Sequence, residues 1–449
     1  MNRRAFLGAV GAAAFGLPRF ALGQGRRKPN IVWLMADDLG LYDVGCYGQK
    51  HIQTPHIDRL AAEGVRFTQC YAGSTVCAPS RSALMTGLHT GHTTVRGNSS
   101  AIGKGRVPLN ADDVTVAEAL KAAGYATGIM GKWGLGEPGT PAIPNQQGFD
   151  SWFGYLNQAH AHEYYPDYLW RNTEKVPLNQ GGQKTDYSHD LMAKEALDFV
   201  RRSKDKPFFL YFTTTIPHAK FQVPSLEPYE DKPWPAQAKA YAAMVTRMDR
   251  DFGRLMALLK ELDLDRDTIV FFTSDNGGYP DGEARKMFDP MGPLRGQKGN
   301  LYEGGLRVPM IVRWPTRIAP GTTSDVAWAF WDFFPTACEL AGAEPPRGLD
   351  GVSMLPAILG KEQKGHEFLY WEFRTGGFSQ AARFGDWKGV RHGTKDALEL
   401  YDLKTDLGET KNVAAEHPDV AEKIEAFMAG ARTESTHWPA LEQRPAKKK

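Results

Sequence analysis

The chain has 449 residues and a mass of 49.7 kDa, enough at roughly 150 residues per domain for two or three modules or one large α/β domain with an appendage. Its 42% hydrophobic, 24% charged and 11% aromatic residues exclude a disordered or collagen-like chain and allow a sizeable core. The formal charge is +2, but residues 1–23 hold three arginines and no acid, so beyond them 51 Lys+Arg face 52 Asp+Glu. That balance leaves no basic excess for a nucleic-acid scaffold.

Arg3 and Arg4 precede Ala5–Leu17, mostly small and apolar, and Ala21-Leu22-Gly23 has the small-x-small form of a cleavage site. Residues 1–23 therefore read as an export signal. The apolar run is shorter than the about 20 residues needed to cross a bilayer, and no later segment reaches that length, so no membrane span is expected. Asn2-Arg3-Arg4-Ala5-Phe6-Leu7 resembles a twin-arginine signal, which implies a bacterial protein that is periplasmic or secreted.

Four apolar runs follow, Asn30–Ala36, Tyr125–Met130, Phe208–Thr215 and Thr268–Thr273, and they predict strands buried on both faces. Helical spacing lies between them, as in Val116-Ala119-Leu120 and Met248-Phe252-Leu255-Leu259. Alternating β and α predicts a large doubly wound, mostly parallel sheet flanked by helices. Each strand delivers a charged or metal-capable side chain just past its end: Asp37-Asp38, Lys132, His218 and Asp275-Asn276. Ligands of such sheets collect at that rim.

Composition changes near residue 345. Phe368–Phe373, Ala381–Val390 and Leu398–Leu403 read as strands, and Pro418–Ala431 as an amphipathic helix. The expected organisation is an export signal (1–23), a main domain (24–350), a smaller C-terminal α+β subdomain with an antiparallel sheet (351–438) and a tail (439–449). Four cysteines, at 46, 70, 77 and 338, are too few and scattered for a disulfide framework. Cys46, Cys70 and Cys338 read as small buried residues, with a Cys46–Cys70 bridge left open.

Cys77-Ala78-Pro79-Ser80-Arg81 is the most informative segment. Pro79 in a first helical turn puts Cys77 near a helix N-terminus, where unpaired N–H groups and the dipole favour an anion. Cys77-x-Pro79-Ser80-Arg81 resembles the signature of the type I sulfatases, members of the alkaline phosphatase superfamily, and the resemblance runs from residue 30 to about residue 310. It implies that Cys77 is oxidised to formylglycine (3-oxoalanine) by a formylglycine-generating enzyme. It also implies that Asp37, Asp38, Asp275 and Asn276, with the residue-77 oxygen, bind Ca²⁺. The donor chemistry agrees: three carboxylates and an amide carbonyl suit Ca²⁺ or Mg²⁺ better than Zn²⁺.

Gly131-Lys132-Trp133-Gly134-Leu135-Gly136 resembles the family's Gly-Lys-Trp-His-Leu-Gly segment, with Gly134 where the family has histidine. The resemblance implies that Lys132, Lys298 and Arg81 hold the sulfate oxygens. It leaves the base that activates the nucleophile open between Asp38 and a histidine from elsewhere. Pro217-His218 resembles the family's Pro-His pair, whose imidazole protonates the leaving group. In the implied reaction hydrated formylglycine attacks sulfur, and the covalent sulfate hemiacetal at position 77 collapses to release sulfate.

The polar, aromatic segment Asn157–Asp167 is the expected sugar subsite. Its His160 and His162 would face one way on an extended chain, where they could bind metal, bind a sugar hydroxyl or replace the histidine missing at 134. Trp371, Glu372, Arg383, Trp387 and Arg391 could close the pocket from the appendage, although the tryptophans read more simply as packing. His89 and His92 read as supports rather than metal ligands. The overall expectation is a sulfuric ester hydrolase acting on a sulfated saccharide. Its rivals are a phosphodiester or phosphonate monoester hydrolase of the same superfamily and a non-catalytic carbohydrate-binding relative.

Overall fold

The computed structural model describes residues 28–100, 105–279, 282–374 and 377–440; the expected export signal, and the expected tail from residue 441 on, lie outside them. One eleven-stranded sheet contains β1 (Asn30–Ala36), β2 (Val65–Tyr71), β3 (Ala126–Lys132), β4 (Ser151–Tyr155), β5 (Tyr168–Arg171), β6 (Glu174–Pro177), β7 (Phe208–Thr213), β8 (Thr268–Ser274), β9 (Arg307–Arg313), β10 (Thr322–Ser324) and β11 (Trp328–Ala329). Its order is β10-β2-β9-β8-β1-β7-β3-β4-β5-β6, with β11 beside β2. The central strands β8-β1-β7-β3-β4 are parallel, while β9 and the β5–β6 hairpin run antiparallel to their neighbours.

Both faces of this centre are covered, which is why its strands are continuous apolar runs and not alternating ones. Val32 and Leu34 join Leu210, Phe212, Val270 and Phe272 in a core shared with the helices Ser188–Ser203 and Ala236–Glu261. On the opposite face Ile31, Trp33 and Met35 join Phe209, Tyr211, Ile269 and Phe271 beneath the helices Val116–Ala122 and Phe333–Ala341. Trp33 packs against Phe333, Phe271 and Phe330 with ring centroids 4.2, 5.2 and 5.7 Å away. Among the described residues no helix is long and apolar enough to cross a membrane.

The second sheet is antiparallel, in the order β12 (Phe368–Arg374), β13 (Phe378–Phe384), β14 (Trp387–His392), β15 (Glu399–Asp402). The expected single strand Ala381–Val390 is in fact a hairpin. Phe384 pairs with Trp387, and Gly385, at φ 58°, makes the two-residue turn that only glycine adopts cheaply at that conformation. One face of this sheet packs under the helix Pro418–Gly430 through Tyr370, Ala382, Leu400 and Ile424. The other packs through Trp371, Ala381 and Val390 on Tyr71 and Trp331 of the main body.

The strand expected at Tyr125–Met130 runs on through Lys132, so the lysine ends the strand instead of following it. Gly131 allows this: a Cβ there would lie 1.7 Å from the Thr213 carbonyl oxygen, and its φ is 126°. Trp33→Ala is expected to cost about 3–5 kcal/mol, because a fully buried ring leaves a cavity in a close-packed core; a lowered denaturation midpoint in urea measures it.

Candidate active site

The register of the parallel strands levels four chain segments at one rim. Ala36 lies opposite Ser274, and Met35 and Gly131 both lie opposite Thr213. Asp37, Asp275 and Lys132 therefore leave the sheet at one height, with strands about 4.8 Å apart. Asp38 sits at φ 67°, a conformation that a non-glycine residue holds only where contacts enforce it. Its N–H donates to Asp275 Oδ1 (3.1 Å), and the next N–H, of Leu39, donates to Ser274 Oγ (3.0 Å). Asp37, Asp38, Asp275 and Asn276 are all buried.

Cys77 is the first residue of the helix Cys77–Thr86, entered through extended Val76. Asn98 Oδ1 accepts from the Ala78 N–H (2.9 Å) at that helix start. The Cys77 Sγ lies 3.4 Å from Asp37 Oδ1 and 4.0 Å from Asp38 Oδ1. A helix N-terminus ordinarily lowers a thiol pKa. Here burial, followed by the negative charges of Asp275 and Asp37, pushes the Cys77 thiol far above its ordinary range. The unmodified side chain is thus a protonated thiol and a poor nucleophile.

Each carboxylate has a cation. Lys132 Nζ lies 2.7 Å from Asp37 Oδ2, and Lys298 Nζ 2.6 Å from the Asp38 carboxylate. Arg81, one turn along the Cys77 helix, donates from Nη2 (2.7 Å) and Nε (3.2 Å) to Asp275 Oδ2. Its Nη1 donates to the Lys132 carbonyl (2.7 Å) and to Thr213 Oγ1. Arg81 is fully buried with these donors engaged, so it braces the cluster, where the sequence suggested a sulfate contact. His218 Nε2 lies 3.3 Å from Asp38 Oδ2, and its Nδ1 faces the Ala219 carbonyl. Burial alone would raise the Asp37 carboxyl pKa, but Lys132, His218 and Arg81 together hold it well below the usual range.

These residues fit a hard divalent cation. Asn276 Nδ2 donates to Asp38 Oδ1 (2.8 Å) and to the Gly277 carbonyl (3.0 Å), while its Oδ1 is buried with no partner. An orphaned acceptor of this kind costs about 1–3 kcal/mol, which coordination to a cation would offset. Burial, and next the Asp37 charge, push Asp275 up to about 6 against the pull of Arg81 and Lys132. The ligand atoms of Asp37, Asp38, Cys77 and His218 lie within 4.8 Å of one another, and the carboxylate and amide oxygens among the neighbouring residues suit Ca²⁺ or Mg²⁺.

The segment Asn157–Asp167 delivers one of its two histidines to this cluster. His160–His162 is a short 3₁₀ turn, not the extended chain expected, so the two rings point apart. His162 stacks on His218 with centroids 4.0 Å apart and planes at 14°. Burial first, and then the positive charges of His218 and Lys132, push His162 down to about 3. His160 instead packs between Tyr155 and Tyr168. Gly134, at φ 76°, has its Cβ direction only 2.6 Å from Gln158 Nε2, so Gln158 fills the space beside it.

Arg383 is not brought to the site. It is buried and donates to Tyr71 Oη (2.6 Å), to Gln69 and to the Gly385 carbonyl (2.8 Å), tying the two sheets together. Trp371 is packed between Tyr71 and Trp331, Trp387 against His417, and Arg391 bonds Gln380. His89 Nδ1 accepts from the Gly91 N–H (3.1 Å), which puts the proton of the neutral ring on Nε2, 3.6 Å from Asp350. Asp350 accepts from the His89 backbone N–H (2.9 Å) and lies 2.9 Å from His92 Nδ1, so one carboxylate clasps both residues. Thr213, Asn98 and Gln158 escaped the sequence reading because nothing in their local pattern marks them. All four cysteines are free.

A family profile described as Sulfatase matches residues 29–343. The chain belongs to the sulfatase family. A second profile, N-sulphoglucosamine sulphohydrolase, C-terminal, matches residues 297–433 of this sulfatase. It is 35% identical over 393 residues to N-acetylgalactosamine-6-sulfatase of Canis lupus familiaris, covering 82% of this chain and 72% of that one. It is 31% identical over 500 residues to N-acetylgalactosamine-6-O-sulfatase of Bacteroides thetaiotaomicron, covering 92% and 94%. The structure of Ps i-CgsB in complex with k-i-k-neocarrahexaose superposes with a TM-score of 0.82 at 30% identity, covering 92% and 95%. Sulfuric ester hydrolysis is therefore the class of reaction.

The Asp275 shift predicts a pH-dependent metal response. Its carboxyl takes a proton at about 6 in the ion-free fold and at 3.8 in the ordinary case. The ion-free fold thus binds more protons than the unfolded chain in that window and loses stability as pH rises through it. A cation must displace this proton. The rise in melting temperature on adding Ca²⁺ should be full above about pH 6, shrink below it, and be abolished by a chelator; a hundredfold excess over Kd corresponds to about 2.7 kcal/mol.

Proposed function

We propose that this sulfatase is exported and uses calcium and formylglycine to remove sulfate monoesters from a sulfated saccharide. The observation that carries this reading is the contact of Cys77 Sγ with the Asp37 and Asp38 carboxylates, inside a buried cluster that also holds Lys132, Lys298 and His218. The saccharide part of the reading draws on the relatives, whose names specify N-acetylgalactosamine sulfates and whose structural neighbour carries neocarrahexaose.

Formylglycine formed from Cys77 would, when hydrated, supply a hydroxyl nucleophile at the helix N-terminus beside Asp37 and Asp38. Asp37, Asp38, Asp275 and Asn276 would hold calcium, which would supply Lewis acidity and favour an ionised hydroxyl. Three carboxylates, of Asp37, Asp38 and Asp275, face the cations Arg81, Lys132 and Lys298, with His218 as a fourth when protonated. A divalent cation held there would make the cluster net positive, which favours an ionised nucleophile together with a sulfate monoester. Lys132 and Lys298 already lie at the rim with their ammonium groups aimed at the cluster, and they hold the sulfate oxygens. His218, fixed at Nδ1 by the Ala219 carbonyl, presents Nε2 to the cluster and protonates the departing alcohol.

Cys77 is 1% exposed. A formylglycine-generating enzyme therefore meets it before the chain folds. With a twin-arginine leader, that step precedes export.

The test compares a nitrophenyl sulfate with the matching nitrophenyl phosphodiester. Preference for the sulfate is expected, and preference for the diester would overturn the reading in favour of the phosphodiester or phosphonate hydrolases. Mass analysis of the residue-77 peptide from the native host should show an aldehyde, whereas an intact thiol points to a carbohydrate-binding relative without turnover. Cys77→Ser is expected to lose steady-state turnover. Lys132→Ala should lower kcat/KM on the order of a hundredfold to a thousandfold, the usual cost of removing one preorganised donor.

A further inference from the structure

The segment between β4 and β5 grips His218 from two sides. His162 lies flat on the His218 imidazole, 4.0 Å centroid to centroid and 14° from parallel. Two residues on, Tyr164 is fully buried, and its hydroxyl donates to the backbone carbonyl of His218 and to that of Thr215 (3.0 Å). The turn that carries both is itself pinned. Asn157 Oδ1 accepts from the N–H groups of Ala159 (2.7 Å) and His160 (3.3 Å), and Tyr155 Oη donates to the Glu163 carbonyl.

The proton donor needs this help. The Nδ1 contact with the Ala219 carbonyl fixes one edge of the His218 ring, but a ring held at one edge still tilts about that hydrogen bond. A parallel aromatic face at van der Waals distance removes the tilt, because any rotation either opens a gap or forces an overlap. Other ionisable side chains of the cluster are committed to direct partners: Lys132 to Asp37, Lys298 to Asp38, Arg81 to Asp275. The ring nitrogens of His162 make no such pairing among the described residues. Its defined contact is its face.

Resting on the sulfatase reading above, we propose that His162 is a positioning residue for the proton donor: its ring is the platform that sets the plane of His218 and aims Nε2 at the leaving oxygen. When the S–O bond to the alcohol breaks, its electron pair goes to that oxygen, which takes the Nε2 proton and leaves His218 neutral. Misaim of Nε2 slows this transfer and leaves attack at sulfur untouched.

Leaving groups separate this role from a general structural one. A nitrophenolate departs without a proton, while a sugar alkoxide needs one. The full-length matured enzyme, wild type and variants, is assayed on nitrophenyl sulfate and on N-acetylgalactosamine 6-sulfate, the sugar sulfate suggested by the relatives. His162→Ala should lower kcat on the sugar sulfate at least about tenfold more than on nitrophenyl sulfate, within the range of a lost general acid. His162→Phe, which keeps a flat face and no nitrogen, should restore most of that ratio. In a His218→Ala background His162→Ala should not shift it further.

Misfolding changes the amount of enzyme and not the ratio between two substrates, so the ratio is the quantity read. Equal losses on both substrates, an unmoved ratio, or rescue by His162→Gln but not by His162→Phe would each overturn the proposal. A wild-type enzyme active on both sulfates with an unmoved ratio in His162→Ala counts against His162 alone. A wild type inert towards both counts against the sulfatase reading and removes this one with it.

Discussion

Three carboxylates buried together at one rim of the sheet are the constraint to which the rest of the molecule answers. Removing a carboxylate from water costs several kcal/mol even after relaxation, and Asp37, Asp38 and Asp275 are all essentially inaccessible. Each is matched by a cation from a different part of the chain: Lys132 from the end of β3, Lys298 from the loop before β9, Arg81 from the Cys77 helix. Stripping one partner from such a pair leaves an uncompensated buried charge worth about 3–5 kcal/mol. The neutralisation that keeps the carboxylates tolerable is therefore also what draws these separate chain segments together at one rim.

The C-terminal sheet serves this arrangement from behind. Trp371 of β12 donates from Nε1 to the carbonyl of Ala72 (3.0 Å), on the segment that leads into the Cys77 helix. Lys388 of β14 lies between Glu303 (2.9 Å) and Glu409 (3.2 Å), fully buried, and Tyr71 Oη donates to Glu303 (2.9 Å). Burial leads the forces that push Glu409 up to about 7, against the pull of Lys388. At the exit of the Cys77 helix the Asp350 carboxylate clasps His89 and His92. The helix that presents Cys77 is thus buttressed at both ends by contacts from the second sheet or the connection leading into it.

Much of the large sheet was legible because burial on both faces forces long apolar runs, and such runs mark their own ends with polar residues. β1, β7 and β8 fall within two residues of the expected limits, and Asp37-Asp38 and Asp275-Asn276 were placed by that logic. The apolar run that marks β3 stops at Met130, while the strand continues through Gly131 and Lys132. Only the close approach to Thr213 explains a glycine inside a paired strand. The hairpin at Gly385-Asp386 is hidden in the sequence, because strand-compatible residues flank a turn of only two residues. In sequence a buried structural arginine and a substrate-binding one look the same, and only the partners of Arg383, Tyr71 and Gln69, tell them apart.

By itself the sequence determined the kinds of group available: a hard-oxygen donor set, a cysteine at a helix start, lysines and a histidine at strand ends, and a glycine at 134. Composition and local order fix these, because they depend on residue type and on neighbours in the chain. Tertiary structure alone decided the pairings. It spent Arg81 on Asp275, turned His160 away while laying His162 on His218, filled the space at Gly134 with Gln158, and left the Asn276 oxygen without a partner. Those outcomes depend on distances between segments up to about two hundred and sixty residues apart, as between Asp38 and Lys298, and only the packing of the sheet sets such distances.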